Sequence, residues 1–145
     1  MKYFKCGKCQ IPYKIDEAKI SNNQVVVTCV ECGAKNKINF GPCLVAQNKG
    51  AVKQFYLKKG PNIIGRQTKD SKLDILIDDE YVSRHHATIH IENHNDKVFL
   101  FVEDNNSLNG TFNKNKTKLK PGLKYPFLQD DYIIIGLTKL YLKIN

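Results

Sequence analysis

Tyr81-Val82-Ser83-Arg84-His85-His86-Ala87-Thr88-Ile89 places a hydroxyl, a guanidinium and two imidazoles within four residues and then becomes an alternating run. From there Ala87, Ile89 and Ile91 alternate with His86, Thr88, His90 and Glu92. A period of two marks a strand with one buried and one polar face. The four-residue spacing of His86, His90 and His94 would stack three imidazoles on a helix and suggest a metal site, but the alternation speaks against a helix. His90 and His94 are therefore expected to face solvent. His86, at the strand entrance, is placed to point into the preceding loop.

The same pattern recurs on either side. Val52–Leu57, Asn62–Gly65, Ile75–Ile77, Ala87–Ile91, Val98–Val102, Thr111–Asn113, Tyr132–Ile135 and Leu140–Ile144 are candidate strands, separated by Gly, Pro, Asn or Asp clusters. No window sustains a 3.6-residue period. Short strands with turn signals at close intervals predict an all-β sandwich or barrel.

Two further polar clusters flank the opening stretch: Ile63-Ile64-Gly65-Arg66 upstream, and Asn106-Ser107-Leu108-Asn109-Gly110-Thr111-Phe112 downstream. The chain has 21 lysines but only two arginines, Arg66 and Arg84, and both lie in these clusters. Arginine presents a planar fork of donors that matches an oxyanion bidentately, which lysine does not. The clusters are expected to hold a phosphate.

The first 42 residues follow a different logic. Cys6-Gly7-Lys8-Cys9 and Cys29-Val30-Glu31-Cys32 form Cys-x2-Cys-x19-Cys-x2-Cys, within the range of a four-cysteine zinc site. Gly33 follows the second pair and supplies a permissive backbone; Gln10 stands in the matching place after the first. Gln24–Thr28 reads as a strand entering the second turn. So short a segment cannot bury a sufficient core, and structural zinc, at about 10–16 kcal/mol in small modules, removes that difficulty. A redox dithiol would need one Cys-x-x-Cys beside a βαβ pattern, which is not found. The segment resembles a zinc ribbon, including Tyr13-Lys14-Ile15 and Asp16-Glu17-Ala18-Lys19-Ile20. The expected division is a ribbon over 1–42, a linker over 43–50 between two glycines, and a β domain over 51–145. Cys43 reads as a small apolar contact.

Composition sets the outer limits. With 41% hydrophobic and 26% charged residues the chain is globular, and no stretch approaches the ~20 apolar residues of a membrane span. The N-terminal residues lack the apolar segment of a signal peptide, so a cytoplasmic protein is expected. The formal charge of +9 is spread along the chain and favours acidic partners without choosing between phosphopeptide and nucleic acid. Neither GxGxxG nor GxxxxGK[ST] occurs, and no nucleophile elbow surrounds Ser83, so an enzyme is not expected. Asp78-Asp79-Glu80 is expected to face water. Lys114, Lys116, Lys118 and Lys120, with Lys124 close by, would share one face of a strand and protect an edge, the alternative being a contact surface for an acidic peptide or nucleic acid.

Taken in order, Gly65-Arg66, Ser83-Arg84-His85-His86 and Asn109-Gly110-Thr111 resemble the signature of a forkhead-associated (FHA) domain. There are 16 residues between Arg66 and Ser83 and 25 between Ser83 and Asn109, spacings similar to that family's. Gln129–Gly136 resembles its late strand entry. The resemblance covers roughly residues 52–144. It implies an eleven-stranded β-sandwich with binding loops at one end, and recognition of phosphothreonine peptides. It also implies that Arg66 grips the phosphate, that Ser83 donates a hydroxyl or backbone N–H to it, and that Arg84 lies nearby. Asn109 would hold the peptide backbone, His86 would brace the loop, and Gly65, Gly110 and Thr111 would shape it. Leu108 departs from the family, many members of which carry threonine or serine there as a further phosphate contact. The expectation is a non-enzymatic signalling adaptor with one structural Zn²⁺. The alternatives are a nucleic-acid-binding protein working through the ribbon and a scaffold for unphosphorylated protein.

Overall fold

The computed structural model describes residues 2–15, 24–39, 41–69 and 72–144. They form two compact units, Met1–Gly41 and Pro42–Asn145. Among the described residues there is no helix, and none long and apolar enough to cross a membrane.

The first unit consists of two antiparallel hairpins: β1 (Lys2–Lys5) with β2 (Pro12–Ile15), and β3 (Gln24–Thr28) with β4 (Lys35–Asn39). Each Cys-x-x-Cys forms the turn of one hairpin. Asp16–Ile20, part of the ribbon resemblance, lies outside the described residues.

The second unit is a sandwich of two five-stranded sheets. Its strands are β5 (Cys43–Asn48), β6 (Ala51–Tyr56), β7 (Gly60–Arg66), β8 (Ile75–Ile77), β9 (Ala87–His94), β10 (Lys97–Asp104), β11 (Thr111–Asn113), β12 (Lys124–Pro126), β13 (Tyr132–Ile135) and β14 (Thr138–Lys143). One sheet runs β12-β10-β9-β7-β8 and the other β11-β13-β14-β5-β6. All pairings within them are antiparallel except β7 with β8. Ten strands and an isolated Phe112–Lys118 bridge stand beside the eleven strands expected of the sandwich. The alternation read from sequence sets the core. Ile64, Ile89 and Val102 point inward from one sheet and Leu44, Ile133, Ile135, Leu140 and Leu142 from the other. Each such side chain contributes about 1.5–3 kcal/mol by leaving water.

Residues 43–50 do not form a linker. Cys43–Asn48 is an interior strand of the second sheet, hydrogen-bonded between β14 and β6. The run Cys43-Leu44-Val45-Ala46 buries three of its four side chains. The following Lys49-Gly50 has φ of 51° and 78°, so it is a two-residue hairpin turn rather than spacer. Cys43 is buried, in the apolar role expected of it.

Three other expectations change. His90 does not point freely into solvent: its Nε2 lies 2.8 Å from Glu103 Oε1 on the neighbouring strand, and the ring is only 18% exposed. Asp79, within the acidic triplet, is buried. The lysine run is not a strand. Asn113 Oδ1 accepts the N–H groups of Asn115 and Thr117, and Lys116 takes φ 62°, so the chain turns where the alternation suggested an edge.

Candidate functional site

Three segments meet at one end of the sandwich: the end of β7, the loop from Asp78 to His86, and the loop from Asn105 to Gly110. They enclose a cavity of about 230 Å³ lined by Arg66, Glu80, Tyr81, Val82, Ser83, Arg84, Leu108 and Asn109. Both arginines of the chain are in this lining.

Close backbone approach sets the first contact. Arg66 N–H donates to Ser83 O at 3.0 Å and His86 N–H to Ile64 O at 2.8 Å, stitching the loop to β7 on either side of Gly65. A Cβ at position 65 would lie 1.8 Å from Arg84 O and 2.3 Å from Leu73 Cδ1. Gly65 is a strand residue whose missing side chain lets the loop close.

His86 is fully buried and ties the two loops together. Its Nδ1 accepts the Ser83 N–H at 3.0 Å, which fixes the tautomer: Nε2 carries the hydrogen and donates to Gly110 O at 2.9 Å. Burial lowers the imidazole's pKa from its ordinary value of 6.5, opposed by the Gly110 carbonyl and by Asp104 and Asp79. The Ser83 backbone N–H is thus committed to His86. The Ser83 side chain is positioned differently. Its Oγ accepts the Leu108 N–H at 3.0 Å, so its own hydrogen remains to be donated into the cavity. Leu108 itself is 87% exposed and contributes its backbone, not its side chain, to this contact.

Asn109 is held by donation from Nδ2 to Tyr81 O at 2.8 Å, so its carboxamide spans the two loops. Arg66 Nη1 lies 3.5 Å from Glu80 O. Arg84 and His85 are exposed. Gly110 has φ 84° and Thr111 is buried.

Sequence reasoning missed two buried carboxylates that build these loops. Asp79 Oδ1 accepts Tyr81 N–H at 2.9 Å, and its Oδ2 accepts Leu137 N–H at 2.7 Å and the Thr138 hydroxyl at 2.8 Å. Asp104 Oδ1 accepts the hydroxyls of Ser107 at 2.6 Å and Thr111 at 2.7 Å, while Oδ2 accepts Ser107 N–H at 3.1 Å. Ser107 Oγ in turn accepts Gly110 N–H at 3.0 Å. The Asp-x-x-Ser spacing was the available signal, since short polar side chains at such offsets bond their own backbone. A larger cavity, about 460 Å³, lies between β6 and β8 and shares Glu80 with the first. Its cations are Lys49 and Lys53, without an arginine, so it lacks the fork that an oxyanion selects.

The first unit has a separate centre. The Sγ atoms of Cys6, Cys9, Cys29 and Cys32 all lie within 4.8 Å of one another, with Cys6–Cys32 at 3.7 Å and Cys9–Cys29 at 3.5 Å. A tetrahedral Zn²⁺ with Zn–S of about 2.3 Å sets sulfurs about 3.8 Å apart, so the cluster fits that ion. The two knuckles repeat one pattern: Gln10 N–H to Cys6 O and Gly33 N–H to Cys29 O, both 2.9 Å. Gln10 adopts φ 66° and Gly33 φ 75°, so glutamine takes the left-handed conformation in the first turn. The sulfurs also have outer donors, Asn36 Nδ2 to Cys6 Sγ at 3.5 Å and the Tyr13 hydroxyl to Cys29 Sγ at 3.2 Å. The backbone N–H groups of Cys9 and Lys8, with Asn36, draw Cys6 down to about 6. Against a lowering backbone hydrogen bond at Ile11, desolvation and the neighbouring sulfurs push Cys9 up to about 12. Four sulfurs this close deprotonate together only around a cation.

Fold and site together describe a β-sandwich that presents a polar loop cluster at one end. The FHA-domain family model matches residues 62–136, just over half of the chain, and the chain belongs to the FHA family. Among solved structures, the chain is similar to full-length yeast Pml1p, at 21% identity and a TM-score of 0.66, over 74% of this chain and 83% of that one. It is also similar to the FhaA FHA domain complexed with the intracellular domain of Rv3910, at 25% identity, TM-score 0.56, over 70% and 99% of the two chains. A third similar structure is the FHA domain of CT664 from Chlamydia trachomatis, at 25% identity, TM-score 0.59, over 71% and 96%. No curated protein matches the chain in sequence.

Proposed function

We propose that residues 42–145 are a non-enzymatic reader of phosphothreonine peptides and act as a signalling adaptor. The observation that carries this reading is the 230 Å³ cavity in which Arg66, Arg84, the Ser83 hydroxyl and Asn109 converge. Arg66 grips the phosphate, and the Ser83 hydroxyl donates to a second phosphate oxygen. Arg84 supplies further positive charge at the rim. Asn109, oriented by Tyr81 O, offers its carboxamide oxygen to the peptide backbone. Leu108 leaves the phosphate one side-chain donor fewer than many family members have.

Two or three charge-assisted hydrogen bonds at roughly 1.5–3 kcal/mol each must offset desolvation and peptide ordering. A micromolar complex, about −8 kcal/mol, is the expected result. Burying the threonine methyl adds about 0.8 kcal/mol, a few-fold preference over phosphoserine. In the first unit, Cys6, Cys9, Cys29 and Cys32 would hold one structural Zn²⁺ whose role is to fold the two hairpins together.

Titration of a phosphothreonine peptide array tests the reading. Arg66→Ala is expected to abolish binding while leaving the unfolding midpoint of the sandwich unchanged. Equal binding of matched phosphorylated and plain peptides by the wild type would favour a scaffold for unphosphorylated protein instead.

A further inference from the structure

We propose that Lys118 is a specificity-determining residue that selects an acidic side chain on one flank of the phosphothreonine. The inference rests on the phosphopeptide reading above and deepens it. Lys118 lies outside the cavity lining, on the segment that follows β11. Its position is nevertheless fixed by the fold. Lys118 forms an isolated antiparallel bridge with Phe112, and the next residue, Leu119, is buried and donates its N–H to Thr111 O at 2.8 Å. Residues paired across a bridge share a face, and the diagonal neighbour two residues away shares it too. For Lys118 that neighbour is Gly110, directly after Asn109.

The contact is close. A Cβ at Gly110 would meet Lys118 Cε at 2.7 Å, Cδ at 3.3 Å and Cγ at 3.4 Å. The lysine stem therefore lies along the bare backbone of Gly110, and its ammonium stands at the edge of the loop that presents Asn109. A long aliphatic stem laid on backbone, with its head in water, is the usual disposition of such a side chain.

Lys118 has no carboxylate partner among the described residues. Lys116 and Lys120 also lack one among those residues, but only Lys118 lies on Gly110, and two other nearby lysines are paired. Lys114 pairs with Asp131 at 2.8 Å and Lys124 with Glu92 at 2.9 Å, so their charges are answered within the fold. Glu80 is the one acidic residue in the cavity lining, and it is exposed. A peptide held at Asn109 passes the Lys118 ammonium on the Gly110 side. An aspartate or glutamate on the Lys118 side is thus favoured, by the modest amount an exposed ion pair supplies.

Fluorescence anisotropy on the full chain tests this with phosphothreonine peptides. One parent peptide carries alanines on both flanks, and its derivatives carry a single Asp or a single Lys at each flanking position in turn. Wild type is expected to gain about 2- to 5-fold in affinity from Asp at positions on one flank only. Lys118→Gln should lose that gain while binding the alanine parent as wild type does. Lys118→Glu should prefer Lys at the same position. An Asp gain that persists in both variants, or no Asp gain at any position in wild type, overturns the inference alone. If the plain parent peptide binds as well as the phosphorylated one, the phosphopeptide reading fails and takes the inference with it.

Discussion

Gly65→Ala is the change that most directly tests how the site is assembled. The new Cβ would lie 1.8 Å from Arg84 O, where ordinary contact begins at 3.4 Å. Leu73 Cδ1, at 2.3 Å, is on a side chain that can rotate away; the Arg84 carbonyl is backbone and cannot. Relief requires the loop and β7 to separate by about 1.5 Å, since repulsion rises steeply inside van der Waals contact. The two hydrogen bonds flanking Gly65, at 3.0 and 2.8 Å, would then pass beyond bonding distance. Their loss costs about 1 kcal/mol each and the overpacking about 1–3 kcal/mol more, giving about 3–5 kcal/mol in total. At an m-value of about 2 kcal/mol/M the urea midpoint falls by roughly 2 M. Phosphopeptide affinity falls as well, because Arg66 and Ser83 sit on the two sides that move apart. Gly60→Ala is the control: φ there is 86° but nothing lies within 4 Å, so only backbone strain of about 1 kcal/mol is expected. A Gly65→Ala protein within 1 kcal/mol of wild type, with unchanged phosphopeptide affinity, would refute the close-approach account.

Two more outcomes follow from the buried histidine and the cysteine cluster. His86 is held neutral below its ordinary value of 6.5, so between its folded value and 6.5 the unfolded chain binds more protons than the native one. Its stabilising contribution is full above about pH 6.5 and is lost as the pH falls through the folded value, with a slope of at most about 1.4 kcal/mol per pH unit. Urea unfolding between pH 7.5 and 5 should show this slope in wild type and lose it in His86→Gln; an identical slope in both would assign the dependence to other groups. For the first unit, a strong chelator should release one equivalent of Zn²⁺ and remove hydrogen-exchange protection from the two hairpins, residues 2–15 and 24–39, an effect on the order of 10 kcal/mol. Protection that survives complete metal removal would show that the hairpins fold without the ion.

Much of the sandwich is visible in the sequence because its strands alternate. Ile75–Ile77, Thr111–Asn113 and Tyr132–Ile135 have the predicted bounds, and most of the others differ by one to three residues at their ends. The failures have physical causes. Cys43–Asn48 was hidden because a short, nearly continuous apolar run between glycines has neither a clear period nor a charged face, although Lys49-Gly50 is a hairpin turn. Lys124–Pro126 is only three residues long and its last residue is a proline. The lysine zigzag mimicked a strand because Asn113 captures the following backbone by its side chain, a local bond that no periodicity reports.

The site divides along the same line. Residues that face the cavity, Arg66, Ser83, Arg84 and Asn109, could be read from their chemistry. The residues that hold them could not, because an aspartate at a loop looks the same whether it faces water or bonds three donors. Asp79 joins its loop to the β13–β14 turn, Asp104 organises the Ser107–Thr111 segment, and His86 connects Ser83 to Gly110. Each supporting group accepts hydrogen bonds from backbone N–H groups, which leaves those donors unavailable to a ligand. On the phosphopeptide reading, side-chain donors then carry a larger share of phosphate recognition. In a chain that otherwise uses lysine, that is a physical reason for arginine to appear at Arg66 and Arg84 alone. It also places a heavier demand on Ser83, because the Leu108 side chain carries no donor and the Ser83 N–H is spent on His86. The Ser83 hydroxyl is the one aliphatic hydroxyl in the cavity lining, and its hydrogen is still available.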